Sequence, residues 1–419
     1  MKKLVALSLA LLLLAGICNL AGADDKIVIT VTRWGDAGAP DPEQVMVDKF
    51  NAGNDMNIEI VYDVVPGDGY GDRLTTSFSD KGYDIFASGE GDFYKWVGLG
   101  MTYPLNELIA ADTDWNNEMN PAVFAMGNIN GDQTYLIRDY NPLLLWYNKD
   151  VFDANGVDYP TDEWTWDDLI EAARQLTVKN DDGTYQSFGF NAQSWTYAAL
   201  TYLTSLGLDI VDPTATEVEG YLDSPEVIEA MLTYVNFAKG DDRISPTSAN
   251  MDAFGGASAM FINGTLAMTI NGGWMRGSLV DAGCNYGTAL APGNHSQYLC
   301  AAGYTISSKC EHPEAAWEVL KLLTGRECSE LKLDMDASVL PTIDALLEAK
   351  KEKSGPEDQG LLDALNYSVQ PVGMRSKIGN PAATAFDRAM ERLTLTDDDP
   401  AKIFADAVAD VREALADMD

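Results

Sequence analysis

Aromatic, carboxylate and amide side chains lie at the ends of several predicted strands. The set comprises Trp34, Asp36, Ser88, Glu90, Asp92, Asn141, Trp195, Tyr197, Asn271 and Trp274. Flat apolar rings can stack on the C–H faces of a sugar, while acids and amides form hydrogen bonds with its hydroxyls. Trp34 and Trp274 lie in glycine-rich loops rather than on helical stripes, which favours binding over core packing. These residue types therefore indicate recognition of a polar molecule with apolar faces.

Three of these positions also have a simple structural interpretation. Glu90 and Asp92 are compatible with ordinary solvated acids, and Asn271 with holding the Asn271-Gly272-Gly273 turn. The two acids also raise the alternative of a glycoside hydrolase, which needs two carboxylates on either side of a bond. Two acids so close on one loop need not face each other, and no G-x-S-x-G, His-Glu-x-x-His or phosphate-loop motif is present. We therefore expect a protein that is not an enzyme.

Predicted strands and helices alternate along the chain. The first series reads as strand 26–32, a helix from Pro42, strand 57–65, helix 72–78 and strand 83–87. Asp41 is a favourable N-cap, and proline suits the first helical position. A second series reads as strand 143–147, helix 166–176 and strand 187–191, and the last quarter is helical. This order predicts an α/β fold with parallel strands and helices on both faces of each sheet.

The balance of acidic and basic residues limits the classes of molecule that the protein can bind. The chain has 28 basic and 65 acidic residues, a formal net charge of −37. Such a surface repels nucleic acid and anionic lipid, and it disfavours an anionic ligand unless a local basic pocket overrides the field. There are only two histidines and no Cys-x-x-Cys pair, so a zinc site is not expected and we predict no cofactor.

The first residues have the pattern of a secretory signal. Lys2 and Lys3 precede an apolar run over 4–14, and Ala21-Gly22-Ala23 matches a cleavage site. We therefore predict a signal peptide over 1–23 and a secreted or periplasmic mature protein. Lipidation at Cys18 is the less favoured alternative, because the bulky Ile17 precedes it where a small residue is usual.

Four further cysteines allow three disulfide pairings. Cys284 and Cys300 bracket two strand-like runs with a turn between them, so a bridge across a hairpin is plausible. Cys310 and Cys328 flank a predicted helix about 15 Å long, which exceeds the reach of a disulfide. The sequence leaves the pairing open.

Several motifs, in order, resemble one known family. Residues 143–152, LLLWYNKDVF, are similar to the strand-to-helix turn of the family 1 extracellular solute-binding proteins, the maltose-binding-like receptors of ABC importers. TWDDL at 165–169, AMFING at 259–264, AMTINGGW at 267–274 and PEAAW at 313–317 also resemble segments of that family. Tyr83 departs from the family pattern, where a proline is usual, and the turn LPT at 340–342 resembles a family turn but lacks the arginine that usually follows.

The resemblance implies a two-lobed periplasmic-binding-protein fold of type II, with a cleft between the lobes and three hinge crossings. The crossings would lie near 139–141, 271–274 and 337–342. Lobe one would then comprise 24–139 plus 275–336, and lobe two 140–271 plus 340–419. The resemblance adds Arg375 to the site, because the loop 372–376 corresponds to one that reaches the cleft in relatives.

The function that follows is capture of a mono- or oligosaccharide outside the cytoplasm and delivery to the permease subunits of an ABC importer. We expect a monomer that does not bind nucleic acid. The same fold binding a polyol or polyamine is the alternative interpretation, and a secreted glycoside hydrolase is a remote one.

Overall fold

The computed structural model describes residues 26–35, 41–192, 195–240, 242–335 and 339–416. The predicted signal peptide over 1–23, the lipidation alternative at Cys18 and the candidate Asp36 lie outside these ranges. Within them, every helix is too short or too polar to cross a bilayer.

Most strands belong to two larger sheets. The strands are β1 (Ile27–Trp34), β2 (Ile58–Val65), β3 (Ile85–Gly89), β4 (Asn128–Ile129), β5 (Asp132–Gln133), β6 (Leu136–Pro142), β7 (Leu144–Asn148), β8 (Val178–Lys179), β9 (Tyr185–Asn191), β10 (Leu266–Asn271), β11 (Tyr286–Ala289), β12 (Gln297–Ile306) and β13 (Ser368–Val369).

Helices fill most of the connections between these strands. The α-helices are Pro42–Ala52, Tyr70–Ser79, Phe93–Gly98, Asn106–Ala111, Pro121–Ala125, Lys149–Asn155, Trp166–Leu176, Thr196–Ser205, Pro225–Asn236, Ser248–Phe254, Ala257–Ile262, Met275–Asp281, Pro313–Thr324, Arg326–Asp334, Asp344–Lys353, Gln359–Asp363, Val372–Arg375, Gly379–Leu395 and Pro400–Ala416. Short 3-10 helices occupy Glu90–Asp92, Pro356–Asp358 and Ala364–Tyr367.

The first sheet has the order β2-β1-β3-β12-β13, and β6 also pairs with β12. β1 runs parallel to both β2 and β3, as the strand–helix–strand alternation predicts. Helix Pro42–Ala52 in the first connection begins at the predicted cap, where the Asp41 side chain accepts a hydrogen bond from the backbone N–H of Glu43. The carboxyl ends of β1 and β3 therefore open on the same edge of this sheet.

The second sheet has the order β11-β7-β10-β9-β8. β9 and β10 are parallel, and β7 is antiparallel to β10 and β11. Helix Trp166–Leu176 packs on it with the predicted start, since Thr165 and Asp168 form a reciprocal capping box. The long helix Gly379–Leu395 shares the same buried core through Phe386. Two helix-covered sheets confirm the predicted α/β class.

The chain moves between the sheets at positions that differ in part from the predicted crossings. β6 and β7, which belong to different sheets, are separated only by Leu143. A bridge between Tyr140 and Leu340 places the later crossing beside it. However, β11 pairs with β7, so 286–289 belong to the second sheet although 275–336 was assigned to lobe one. The middle crossing therefore lies between Ala289 and Gln297, and not at 271–274.

Cys284 and Cys300, whose pairing the sequence left open, do not form a disulfide in the structure. All four cysteines of the described residues are free thiols. β11 and β12 do not form a hairpin, because β11 pairs in the second sheet and β12 in the first. Cys284 lies near the amide of Asn148, whereas Cys300 faces Glu90. The two thiols therefore have separate surroundings.

Candidate ligand-binding cleft

A cavity of about 700 Å³ lies where the ends of the two sheets meet. The first sheet contributes the loops that follow β1 and β3, and the second sheet contributes the start of helix Thr196–Ser205 and the loop after β10. Seven of the predicted site residues line it together, namely Trp34, Glu90, Asp92, Asn141, Trp195, Tyr197 and Trp274. The strand-end rule therefore brings residues from distant parts of the sequence to one cleft.

Aromatic rings form the walls of the cleft. Trp195 contacts Trp274 edge to face, with ring centroids 5.9 Å apart, and contacts Tyr197 in the same manner at 5.5 Å. Trp274 is 44% exposed, so its ring is available to a ligand. A side chain at position 272 would overlap that ring, so Gly272 is needed for its placement. Trp34 lines the cleft from the first sheet, and its ring packs edge to face against Tyr70 with the ring centroids 5.5 Å apart.

Glu90 forms a buried acidic point in the cleft. It begins the 3-10 helix that follows β3, and its Oε2 accepts a hydrogen bond of 2.8 Å from the backbone N–H of Ala301 on β12. The hydroxyl of Tyr197 from the second sheet also donates to this carboxylate. Burial outweighs these bonds and raises the pKa of Glu90 to about 7.

Helix Gly379–Leu395 supplies a polar face that the sequence did not reveal. Asn380, Thr384 and Asp387 line the cleft at helical spacing. Burial raises the pKa of Asp387, which accepts a hydrogen bond from the hydroxyl of Thr196. A polar stripe on an amphipathic helix normally faces water, so only the three-to-four-residue spacing could have indicated this role.

Asn380 also connects the two halves of the molecule. Its amide donates to the carbonyl of Gly91 at 2.6 Å and to the carboxylate of Asp92 at 3.4 Å. Tyr197 and Gly373 approach the same 3-10 helix, and a side chain at Gly91 would overlap the Tyr197 hydroxyl. Residues that follow the first sheet are thus held against helices of the second.

Two arginines on the wall of the cleft are held by a buried acid. Glu43 is 1% exposed. Its carboxylate forms ion pairs with Arg138, Arg33 and Lys332, with N···O distances of 2.9, 3.2 and 2.8 Å. These cations overcome the effect of burial and hold the pKa of Glu43 well below its usual range. Sequence reasoning missed this cluster because its members are far apart along the chain.

Three other predicted residues do not line the main cavity. Ser88 lines an adjoining pocket of about 270 Å³ together with Trp34 and Asp92. The side chain of Asn271 accepts a hydrogen bond from the N–H of Gly272 at 2.9 Å, which is the turn-holding role. Arg375 pairs with Asp209 and donates to a backbone carbonyl at 2.8 Å, so its charge is used outside the cavity.

The described residues contain no group of three or more histidine, cysteine or acidic side chains placed to hold a metal ion. Chemically, the cleft therefore offers rings, carboxylates, amides and hydroxyls.

Known proteins resemble this chain in sequence and in fold. Residues 37–327 match the family model described as bacterial extracellular solute-binding protein. An uncharacterized ABC transporter extracellular-binding protein of Pyrococcus horikoshii is 24% identical over 254 residues, and the match covers 57% of this chain and 55% of that protein. The match thus spans about half the length of that relative.

Two solved structures share the fold over nearly the whole chain. An ABC substrate-binding protein of Listeria monocytogenes in complex with cycloalternan has a TM-score of 0.80 and 23% identity, covering 94% of this chain and 100% of that one. A solute-binding protein of Thermotoga lettingae bound with α-D-tagatose has a TM-score of 0.80 and 19% identity, covering 93% and 100%. The two-lobed fold is confirmed, and the chain belongs to the bacterial extracellular solute-binding protein family.

Proposed function

We propose that this protein binds a mono- or oligosaccharide in the cleft, outside the cytoplasm, and delivers it to the permease of an ABC importer. The observation that carries the proposal is the meeting of Trp34, Trp195 and Trp274 with buried polar side chains in one cavity. Rings and hydrogen-bonding groups together match the two kinds of surface on a sugar. The Listeria and Thermotoga relatives, which were solved with a cyclic oligosaccharide and a monosaccharide, support the same ligand class.

Closure of the two lobes provides the mechanism. A ligand that contacts Trp34 on one side and Trp195 on the other interacts more strongly with the closed form and therefore shifts the population toward it. The importer would recognise that closed shape. We expect the mature protein, after loss of 1–23, to act as a monomer.

Catalysis is not part of the proposal. Glu90 and Asp92 lie in one 3-10 helix of three residues, so they do not provide two carboxylates on opposite sides of a bond. The polyol and polyamine alternatives differ from the proposal only in the ligand, and the same experiment separates them.

The test is a calorimetric and thermal-shift screen of mono- and oligosaccharides, polyols and polyamines. We expect at least one sugar to bind with a rise in melting temperature, without hydrolysis, and with a smaller radius in solution scattering. Trp274→Ala should weaken that binding by about 2 kcal/mol, because a ring contact is lost. Phe254→Ala is the matched control, since Phe254 is 45% exposed and lies outside the cleft. Binding of polyols or polyamines alone, or turnover of a glycoside, would refute the proposal.

A further inference from the structure

The positive charges on the wall of the cleft are already neutralised. Arg33 pairs with Asp41 at 2.5 Å as well as with Glu43, and Arg138 pairs with Asp139 at 3.1 Å as well as with Glu43. With the nearby Lys332, three cations thus balance three buried or half-buried acids. The two arginines therefore have no charge left for an anionic ligand.

Two carboxylates of the cleft are in the opposite situation. In the described part of the chain, no lysine or arginine forms an ion pair with Glu90 or Asp387. Glu90 has neutral donors, the N–H of Ala301 and the hydroxyl of Tyr197, and Asp387 has the hydroxyl of Thr196. A buried carboxylate without a cation is costly when it is ionised. Glu90 beside the first sheet is such a buried acid, at 4% exposure, whereas Asp387 on a helix of the second half lines the same cleft but is exposed to solvent.

Asn141 independently indicates that the cleft suits a ligand with hydrogen-bond donors. Its side chain is 2% exposed and lines the cleft, and its Oδ1 has no hydrogen-bond partner among the described residues. A buried carbonyl oxygen that lacks a donor costs free energy until one is supplied. The cleft therefore presents one acceptor without a donor, on Asn141, beside two carboxylates that have only neutral donors, and a ligand rich in N–H donors would suit all three.

We propose that the preferred ligand is a carbohydrate that carries a protonated amine, with Glu90 and Asp387 neutralising the ammonium group and Asn141 accepting one of the ligand's hydrogen bonds. This deepens the proposed function and rests on it. An N–H group of an ammonium ion forms stronger hydrogen bonds with a carboxylate than a neutral hydroxyl does. The amine thus distinguishes the favoured sugar from its neutral analogue.

Protons should be released when such a ligand binds. The carboxyl pKa of both acids is raised by burial, and the groups facing Glu90 are Tyr197, Cys300 and Asp92, none of which is a cation. An incoming ammonium favours the ionised carboxylate and so expels the proton that Glu90 holds near pH 6. A neutral sugar has no such effect.

The experiment uses matched triplets of an amino sugar, its N-acetyl derivative and the parent sugar, as gluco, galacto and manno monosaccharides and as disaccharides of glucosamine and glucose. Isothermal titration calorimetry at pH 6 in two buffers of different protonation enthalpy measures affinity and proton release together. We expect the amine to bind about 10- to 100-fold more tightly than the other two members in at least one triplet, with release of protons.

Variants assign the preference to the residues. Asp387→Asn should greatly reduce the ratio between the affinities for the amine and for the parent sugar, both measured on the same variant, and Glu391→Gln, an exposed acid on the same helix, should leave that ratio intact. If parent sugars bind as tightly as the amines, the inference fails and the sugar-binding function stands. If none of the sugars binds and only the polyamines of the thermal-shift screen do, the sugar-binding function fails. If no compound binds, both fail.

Discussion

Glu90 couples the cleft to pH. Its carboxyl has a pKa of 4.5 in an unfolded chain and about 7 in the folded protein, because burial disfavours the charge. Between these values the folded protein holds a proton that the unfolded chain has lost. The stabilisation from this difference is fully present below pH 4.5 and is lost as the pH rises through 7.

Glu90→Gln should remove this dependence, since the amide stays neutral. Relative to the variant, the wild-type free energy of unfolding should decrease by up to about 3 kcal/mol between pH 4.5 and pH 8. Urea denaturation of both proteins at several pH values measures it, and Glu391→Gln serves as a control that follows the wild type. A constant difference between wild type and Glu90→Gln across that range would contradict the buried, uncompensated state of this acid.

Individual site residues could be predicted from the sequence where position alone decides their surroundings. Trp34 and Glu90 follow strands whose ends share one edge of a sheet, so local pattern and topology were sufficient to place them. Asp387 and Glu43 could not be predicted, because their surroundings include residues from distant segments, such as Thr196 beside Asp387 and Lys332 beside Glu43. Arg375 illustrates the converse, since its charge is used by Asp209.

At the scale of elements, helix Pro42–Ala52 carries Glu43, which connects two strands of the first sheet with another helix. Glu43 binds Arg33 on β1, Arg138 on β6 and Lys332 on helix Arg326–Asp334, and it also accepts hydrogen bonds of 2.7 Å from Tyr62 and Tyr304. Three cations therefore meet at one carboxylate that has almost no access to water, although Arg33 and Arg138 also pair with Asp41 and Asp139.

Glu43→Gln should therefore destabilise the protein by about 3–5 kcal/mol, because the substitution leaves the cluster with one more cation than anions and removes the ion pair of the buried Lys332. Chemical denaturation at pH 7 measures the loss. The control is Glu59→Gln, which breaks the exposed pair with Lys26 at 3.6 Å and should cost less than about 1 kcal/mol. Equal costs for the two variants would show that the buried cluster does not hold these elements together.

Elements with strong local signals were predicted well, and their partners were not. Helix Trp166–Leu176 was given by its capping box and apolar stripe, and its bounds agree with the structure. Strand β11 was also recognised, but its pairing with β7 was not, because strand pairing is decided by tertiary packing. For the same reason the sequence left the cysteine pairing open and placed the middle crossing before β11 rather than after it.

The two-lobed fold of the whole molecule was predicted from the resemblance of its motifs to one family. The molecule has a formal net charge of −37. Folding brings the acidic side chains closer together than they are in the unfolded chain, so their mutual repulsion destabilises the compact state. Salt reduces the Debye length from about 30 Å at 0.01 M to about 3 Å at 1 M and thereby screens the repulsion.

We therefore expect the melting temperature to rise steadily between 0.01 M and 1 M NaCl. Calorimetry with sucrose at matched osmolality separates screening from general solute effects, because sucrose carries no charge. A melting temperature that is flat or falls with salt, while sucrose raises it as usual, would rule out repulsion as a significant cost.

Strand β12 has a consequence for how the chain is made. It pairs with β3 and β6 in the first sheet, yet about half of the chain separates it from β3. While the polypeptide is being made and exported, one edge of β3 therefore stays unpaired until Gln297–Ile306 has arrived. The first sheet thus cannot be completed before this segment has arrived, and a chain interrupted before residue 306 would leave β3 with an unpaired edge.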